Sequence, residues 1–341
     1  RETTPEDIHG MKVAAGILTE LGGMTSHAAV VARGMGVCAI TGCDRLSIDY
    51  GAGTATTNDG VVISRGDVIT LDGTSGEVML GDIAKTEASS SDDFQVLLSW
   101  ADKHRRLKVR ANAETAEDAA KARELGAEGI GLCRTEHMFF ESDRIDIMRA
   151  MILSETVAER QGFLDQLLTF QHDDMLELFK VMDGLPVTIR LLDPPLHEFL
   201  PHTEEDIAAL AQRIGKPADK IQEITERLAE VNPMLGFRGC RLSVVHPEIT
   251  EMQVKAIISA AADAIEQGYK ALPEIMVPLV VNVREIRLIN EIIDRSIHEV
   301  TRKRTVSIPY KIGTMMETPR AALGADRLAP EVEFMSFGTN D

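Results

Sequence analysis

The strongest candidate for chemistry in the sequence is His27, which follows a pair of glycines at the start of an apolar run. Gly22 and Gly23 permit a tight turn, and Thr25 or Ser26 can cap a helix whose first turn then contains His27. The positive end of a helix dipole disfavours an imidazolium but favours a phosphoryl group, whose oxygens accept unsatisfied backbone N–H bonds. A neutral imidazole is also a nucleophile toward phosphorus. Position alone leaves two interpretations open: a phosphoryl carrier, or an ordinary histidine at a helix start.

A second group of candidates consists of three arginines and two carboxylates that lie at or near the C-terminal ends of predicted strands: Arg134, Arg190, Arg238, Glu317 and Asp341. Any one of these arginines alone could be a surface cation, but in a parallel barrel all five residues share one rim. Arginine suits anions with several oxygens, and carboxylates without His or Cys suit Mg²⁺. The set predicts a small substrate with carboxylate and phosphate groups, bound across Mg²⁺, and stabilisation of an enolate.

The elements that must position these residues change type along the chain. Residues 1–82 hold short apolar runs separated by turns, which predicts a small strand-rich domain with one helix near 27–34. Residues 83–106 read as a polar, serine-rich linker and a connecting amphipathic helix. From residue 107 to 341 strands and helices alternate, and the predicted strands, mostly apolar throughout as strands buried on both faces require, are 107–111, 129–133, 187–192, 234–238, 275–279, 311–316 and 332–337.

This alternation predicts the fold class α/β, with an incomplete (β/α)₈ barrel that lacks its last unit following the small domain. A doubly wound sheet is the weaker alternative. No glycine-rich fingerprint follows the first predicted strand, where the chain reads Arg110-Ala111-Asn112-Ala113.

The composition restricts the classes of partner. Hydrophobic residues make up 44% and charged residues 26%, as in globular proteins, and no apolar run reaches the roughly 20 residues that cross a bilayer. The net charge of −18 argues against a nucleic-acid partner. The four cysteines have no zinc spacing, which predicts reduced thiols and a cytoplasmic location. Neither end resembles the end of a natural domain, so we interpret the chain as a fragment.

The segment GGMTSHAAVVARG (22–34) resembles the phosphohistidine signature of the phosphoenolpyruvate (PEP)-utilising enzyme family, and its form is similar to that of the family's dikinases. The barrel segments that share the resemblance are GLCRTEHMFF (131–140), LDPPLHEF (192–199), GFRGCRL (236–242), PEIMVPL (273–279) and FGTND (337–341). The resemblance extends over essentially the whole chain. It implies a swivelling phosphohistidine domain followed by a barrel that binds PEP and pyruvate.

The resemblance further implies the reaction ATP + phosphate + pyruvate ⇌ AMP + pyrophosphate + PEP. His27 would then carry the phosphoryl group to pyruvate, and Glu317 with Asp341 would ligate Mg²⁺. Thr25 matches a threonine that a regulatory enzyme phosphorylates in some members. The implied substrate contacts are Arg134, Arg190, Arg238, Glu317, Gly338, Thr339, Asn340 and Asp341.

Two parts of the family pattern have no counterpart in the sequence, namely the ATP-binding domain and the last barrel unit with its proton-donating cysteine. We therefore expect that ATP and phosphate bind a preceding domain and that the full-length enzyme is a homodimer. We also expect that this chain alone does not catalyse the complete reaction. The expected location is the cytoplasm, with an organelle as the alternative for a plant or protist source.

Three alternatives stay open at this point. A PEP synthase uses water where the dikinase uses phosphate. An enzyme I-type phosphocarrier of a sugar phosphotransferase system passes its phosphoryl group to a partner protein. A stand-alone Mg²⁺-dependent lyase or aldolase on the same barrel would leave residues 1–82 unexplained.

Overall fold

The structure is a computed structural model that describes residues 3, 10–11, 14–23, 26–34, 37–83, 92–141, 143–201, 203–229, 232 and 236–338. The chain divides into two compact units, Arg1–His104 and Arg105–Asp341. Each unit is described by itself.

The first unit is rich in short strands, as predicted. β1 pairs with β2 in parallel, β3, β4 and β5 form an antiparallel sheet, and β6 and β7 form an antiparallel pair. The strands are β1 (Gly16–Leu18), β2 (Cys38–Ile40), β3 (Leu46–Asp49), β4 (Thr54–Thr57), β5 (Val62–Ser64), β6 (Ile69–Asp72) and β7 (Glu77–Leu80). Among the described residues its helices include α1 (His27–Gly34) and α2 (Asp92–His104).

Helix α1 begins at His27, which confirms the helix predicted from the glycine pair. The Ala29 N–H lies 3.4 Å from Ser26 Oγ, the geometry of a helix N-cap. Ala28 and Ala32 face the unit's small core and pack with Ile17. Small side chains at this spacing let the helix approach the sheet closely, so the first turn is fixed by its neighbours.

The second unit is built on one parallel sheet whose six strands follow each other in chain order. This curled half-barrel confirms the predicted α/β class. Its strands are β8 (Ala111–Asn112), β9 (Ile130–Arg134), β10 (Pro186–Arg190), β11 (Leu272–Val277), β12 (Lys311–Met316) and β13 (Phe334–Phe337).

Helices connect these strands, as parallel pairing requires. The α-helices are α3 (Ala116–Glu124), α4 (Ile145–Ile152), α5 (Val157–Val181), α6 (Glu204–Ile214), α7 (Ala218–Leu228), α8 (Cys240–Val245), α9 (Pro247–Glu266), α10 (Val283–Thr301), α11 (Pro319–Leu323) and α12 (Ala325–Leu328). Short 3₁₀ helices span Thr135–Phe139, Leu196–Phe199 and Ala329–Glu331.

The predicted strand at 234–238 is wrong. β10 pairs directly with β11 in parallel register, which leaves no place for a strand between them. Residues 236–238 form a bend that leads into α8, whereas 234 and 235 lie outside the described residues. The stretch contains Gly236 and precedes Gly239, and Arg241 Nη1 donates to the Gly236 carbonyl at 2.7 Å. That carbonyl is therefore satisfied by a side chain rather than by a neighbouring strand.

Of the other predicted strands, 311–316 has the predicted bounds, 129–133, 187–192 and 332–337 are shifted or shortened by one or two residues at their ends, and two differ by more. The first covers Ala111–Asn112 only, because Leu107 and Val109 are 83% and 61% exposed and have no core to enter. The strand predicted at 275–279 instead spans Leu272–Val277 and ends where Leu279 adopts a positive φ of 59°.

The sheet packs its outer face against α5, α9 and α10. Val187 and Ile189 of β10 and Ile275 and Val277 of β11 are fully buried in this core. Burial of such a side chain contributes about 1.5–3 kcal/mol. These contacts hold the strand ends, and therefore the rim residues, in fixed relative positions.

The other side of the same strands carries polar residues, whereas the sequence predicted mostly apolar strands. Arg110 Nη1 lies 3.1 Å from Thr188 Oγ1 and 2.5 Å from Glu274 Oε2, and the Thr188 hydroxyl donates to Glu274 at 2.8 Å. Burial would raise the pKa of Glu274, but these hydrogen bonds and the Arg110 charge outweigh it, so the pKa is lowered. The carboxylate therefore stays ionised at neutral pH.

Replacing Asn282 with Ala is expected to lower the free energy of unfolding by about 1 kcal/mol. The Asn282 side chain caps α10 by accepting the Arg284 N–H at 2.7 Å, and Glu285 accepts the Asn282 N–H at 3.0 Å in return. Asn282→Gly, the matched control, should cost only a few tenths of that. Urea unfolding measures both, and equal stability of the Ala variant and the parent would contradict the cap.

Candidate active site

Arg134 and Arg190 end neighbouring strands of the parallel sheet, as predicted. They are direct partners in the register between β9 and β10, so both side chains leave the backbone at the same rim. Arg134 Nη1 forms an ion pair with Glu114 Oε1 at 2.8 Å. Glu114 follows β8, so this pair joins the ends of the first two strands.

Asp193 joins Arg190 to Arg238. Its Oδ2 atom lies 2.9 Å from Arg190 Nη1 and 2.7 Å from Arg238 Nη2. Arg238 Nε also donates to the Asp193 backbone carbonyl at 3.1 Å. Arg238 therefore reaches the place predicted for it, although it follows a bend and not a strand.

Carboxylates keep Arg190 charged although its side chain is buried. Burial lowers the pKa of the guanidinium, but Glu136, Asp193 and Glu317 raise it, and the net pKa lies above the ordinary value. Glu136 Oε1 accepts a hydrogen bond from Arg190 Nη2 at 2.5 Å. The negative charge of Glu317 also contributes to the raised pKa of Arg190.

Buried polar residues fix the backbone around Arg190 from behind. The Thr135 hydroxyl donates to the Arg190 carbonyl at 3.0 Å, and Gln253 Nε2 donates to Thr135 Oγ1 at 2.9 Å. Gln253 Oε1 in turn accepts the Leu192 N–H at 2.8 Å. Through Gln253, helix α9 therefore determines where β10 ends.

Glu317 directly follows β12, with a side chain that is 5% exposed. Its Oε1 atom accepts the Leu279 N–H at 2.6 Å. A Cβ atom on Gly338 would lie 2.9 Å from the Glu317 Cβ, closer than real contacts allow, and a tight 3.0 Å from the Met315 Cε. The chain therefore needs glycine at 338, and this predicted substrate contact lies against the predicted metal ligand.

The charges at this rim fit a divalent cation. Three arginines and four carboxylates, named at the end of this paragraph, lie together at the rim and have a net charge of −1. A bound 2+ ion would change this net charge to +1. Mg²⁺ takes one or two carboxylates and completes its shell with water and substrate oxygens. Within the described residues no group of three or more His, Cys, Asp or Glu side chains could hold a metal. The rim group consists of Arg134, Arg190, Arg238, Glu114, Glu136, Asp193 and Glu317.

Several predicted site residues cannot be placed. Thr25 and residues 339–341, that is Thr339, Asn340 and Asp341, lie outside the described residues, and so does the side chain of His27. The roles assigned to them stay predictions.

Sequence reasoning missed the residues that organise the arginines. Asp193 and Glu136 both lie just after strands that end in arginine, so a search for every carboxylate near a strand end could have found them. Leu279 carries no such signal, because leucine has no local preference for the left-handed region. Its role depends on contacts distant in the sequence.

Comparisons with known proteins agree with this geometry. A model of the PEP-utilising enzyme mobile domain matches residues 1–76, and a model of the PEP-utilising enzyme PEP-binding domain matches residues 88–341. The chain belongs to the PEP-utilising enzyme family. None of the described helices of this family member is long and apolar enough to cross a membrane.

Individual relatives cover the whole chain. It is 51% identical to the pyruvate, phosphate dikinase of Clostridium symbiosum and 53% identical to that of Rhizobium meliloti (strain 1021). It is 52% identical to the chloroplastic pyruvate, phosphate dikinase 1 of Arabidopsis thaliana. The match covers 100% of this chain but only 39%, 38% and 35% of these three relatives. The chain thus spans little more than a third of their length.

Proposed function

We propose that this chain is the phosphohistidine and PEP/pyruvate-binding part of a pyruvate, phosphate dikinase. The observation that carries the proposal is the identity of 51–53% to such dikinases over the full chain. The rim supports it independently, because Arg190 and Arg238 share one carboxylate beside the buried Glu317. Such a rim suits a small anion that carries both carboxylate and phosphate.

In this proposal His27 carries the phosphoryl group. In the direction of PEP formation the methyl group of pyruvate would give up a proton to the cysteine that the family pattern places in a further barrel unit, and the enolate oxygen would attack the phosphorus. The P–N bond to His27 breaks as the new O–P bond forms. Arg134, Arg190 and Arg238 donate N–H bonds to carboxylate and phosphoryl oxygens and thereby stabilise the charge that develops. Gly338, Thr339 and Asn340 would contact the substrate.

Mg²⁺ is part of the same proposal. Glu317 and Asp341 would hold it, and the bound ion would act as a Lewis acid toward the oxygens of pyruvate. The Leu279 N–H holds one oxygen of Glu317 in place. Because this hydrogen bond already orders the Glu317 side chain, little side-chain entropy would be lost when the other carboxylate oxygen binds the metal.

The proposal also assigns the parts of the chain. Residues 1–82 would be the swivelling domain, 83–106 the connection, and 107–341 the barrel. ATP and phosphate would bind a further domain, and the full-length enzyme would be a cytoplasmic or organellar homodimer. Thr25 is the candidate for regulation, because a phosphate two residues before His27 would repel the incoming phosphoryl group.

The products formed by the natural full-length protein test this function. With ATP and pyruvate we expect PEP to form only when phosphate is added, with one pyrophosphate released for each PEP. Formation of PEP without added phosphate, with release of phosphate, would identify a PEP synthase instead. Transfer from PEP to a carrier protein without any ATP reaction would identify a phosphocarrier.

A further inference from the structure

The turn after β11 contains the one non-glycine residue with a positive φ in the described part of the chain. Leu279 has a φ of 59° and a fully buried side chain. This conformation costs an L-residue about 1–2 kcal/mol. Contacts around the turn must therefore over-determine it.

Side chains from two other elements hold the turn. Three of its carbonyl groups each accept a hydrogen bond from a buried thiol or hydroxyl. These bonds join Thr314 Oγ1 to Val277 O at 2.9 Å, Cys240 Sγ to Leu279 O at 3.0 Å and Thr318 Oγ1 to Val280 O at 3.3 Å. The threonines belong to β12 and the residues after it, whereas Cys240 comes from the start of α8.

A second unusual turn locks into the first. Gly239 has φ 56° and ψ −130°, and a Cβ atom there would lie 2.8 Å from the Leu279 Cβ and 3.0 Å from Asp193 Oδ1. The Gly239 N–H donates to the Asp193 carbonyl at 3.1 Å, and the Cys240 N–H donates to the Pro278 carbonyl at 3.2 Å. The two turns therefore fix each other and bring Asp193 next to Leu279.

This packing fixes the directions in which the backbone N–H and carbonyl groups of Leu279 point. The Leu279 carbonyl accepts from Cys240, while the Leu279 N–H donates to Glu317 Oε1 at 2.6 Å. Burial, helped by the Glu285 charge, raises the pKa of Cys240 to about 12. The thiol is therefore protonated at neutral pH and available as a donor.

We propose that Cys240 is a positioning residue, whose thiol holds the Leu279 turn so that the Leu279 N–H fixes the Glu317 carboxylate for the metal. This inference rests on the proposed function, which assigns Mg²⁺ to Glu317. In this inference Cys240 contacts neither the metal nor the substrate. It acts on the Glu317 carboxylate, 77 positions further along the chain, through the strained backbone of Leu279.

Variants of Cys240 in the natural full-length protein test the inference. Mn²⁺ binding, followed in the presence of PEP by the electron paramagnetic resonance signal of the free ion, reports on the site without turnover. Cys240→Ala should weaken this binding about tenfold, the usual effect of losing a residue that orients a metal ligand. Cys240→Ser restores a donor and should stay within about threefold of the parent. The matched control is Cys133→Ala, which empties a fully buried thiol site in β9 and should leave Mn²⁺ binding unchanged.

The outcomes separate this inference from the function on which it rests. If Cys240→Ala binds Mn²⁺ as tightly as Cys133→Ala does, the thiol only fills space and the inference is wrong. Should the Ala variant not fold, Cys240→Val, which fills the site without a donor, is compared with Cys240→Ser in its place. Glu317→Gln tests the proposed function itself. Unchanged Mn²⁺ binding in that variant would show that Glu317 is not a metal ligand, whatever the result for Cys240.

Discussion

Replacing His27 with Asn is expected to abolish phosphoryl transfer between PEP and the protein, with a loss of at least about a thousandfold. The reason is that an amide cannot form the phosphoramidate intermediate, although it can occupy the same first position of α1. The measurement is incorporation of radioactive phosphate from labelled PEP into the natural full-length protein. Phosphohistidine is labile in acid and stable in base, so the label should show that behaviour.

The matched control for this prediction is His104→Asn. His104 is the exposed last residue of α2, in the same compact unit as His27. Its replacement should leave the labelling unchanged. Labelling that survives in the His27 variant would remove the carrier role, and with it the dikinase proposal. A lyase or aldolase on the same barrel predicts a different result, namely no labelling of the parent protein or of the variant.

Replacing Asp193 with Ala is expected to lower the free energy of unfolding by about 3–5 kcal/mol. Asp193 is 1% exposed and forms ion pairs with both Arg190 and Arg238. Its removal leaves two largely buried guanidinium groups with one fewer carboxylate, and the desolvation cost of those charges is then uncompensated. Denaturant unfolding measures the loss, and PEP binding should weaken with it because the arginines lose their shared anchor.

An exposed ion pair provides the control for Asp193. Lys121 and Glu124 pair at 2.9 Å on helix α3 with side chains that are 64% and 68% exposed. Glu124→Ala should therefore change stability by less than about 1 kcal/mol. Equal losses in the two variants would mean that Asp193 does not serve as the buried counter-ion. Asp193→Asn, which keeps the volume, separates the loss of charge from the loss of packing.

The sequence predicted the parts of this fold that depend on local pattern. The helix at His27 follows from turn and cap chemistry within a few residues, and the strands that end at Arg134 and Arg190 follow from apolar runs. The strand around Arg238 was predicted wrongly, because a short apolar stretch does not reveal whether a neighbouring strand is available to pair. Only the register between β10 and β11 shows that no such place exists.

The arrangement of the candidate site could be predicted less well. Residue types and the barrel rule indicated which side chains meet at the rim. They could not indicate that Asp193 sits between two arginines, or that Leu279 adopts a left-handed conformation against Glu317. Both depend on contacts between segments that are 38 to 45 residues apart, and tertiary packing there overrides local preference.

The direct pairing of β10 with β11 affects how the candidate site can change during evolution. Arg134 and Arg190 are the last residues of β9 and β10, so a one-residue insertion within either strand would shift its register and turn the core side chains before it to the wrong face. Arg238 arrives on a bend outside the sheet, where added or lost residues disturb no strand pairing. Two of the three arginines proposed to bind the anion are thus positioned by the sheet, while the position of the third can change separately. Relatives that accept differently sized acids should vary first in the segment before Arg238.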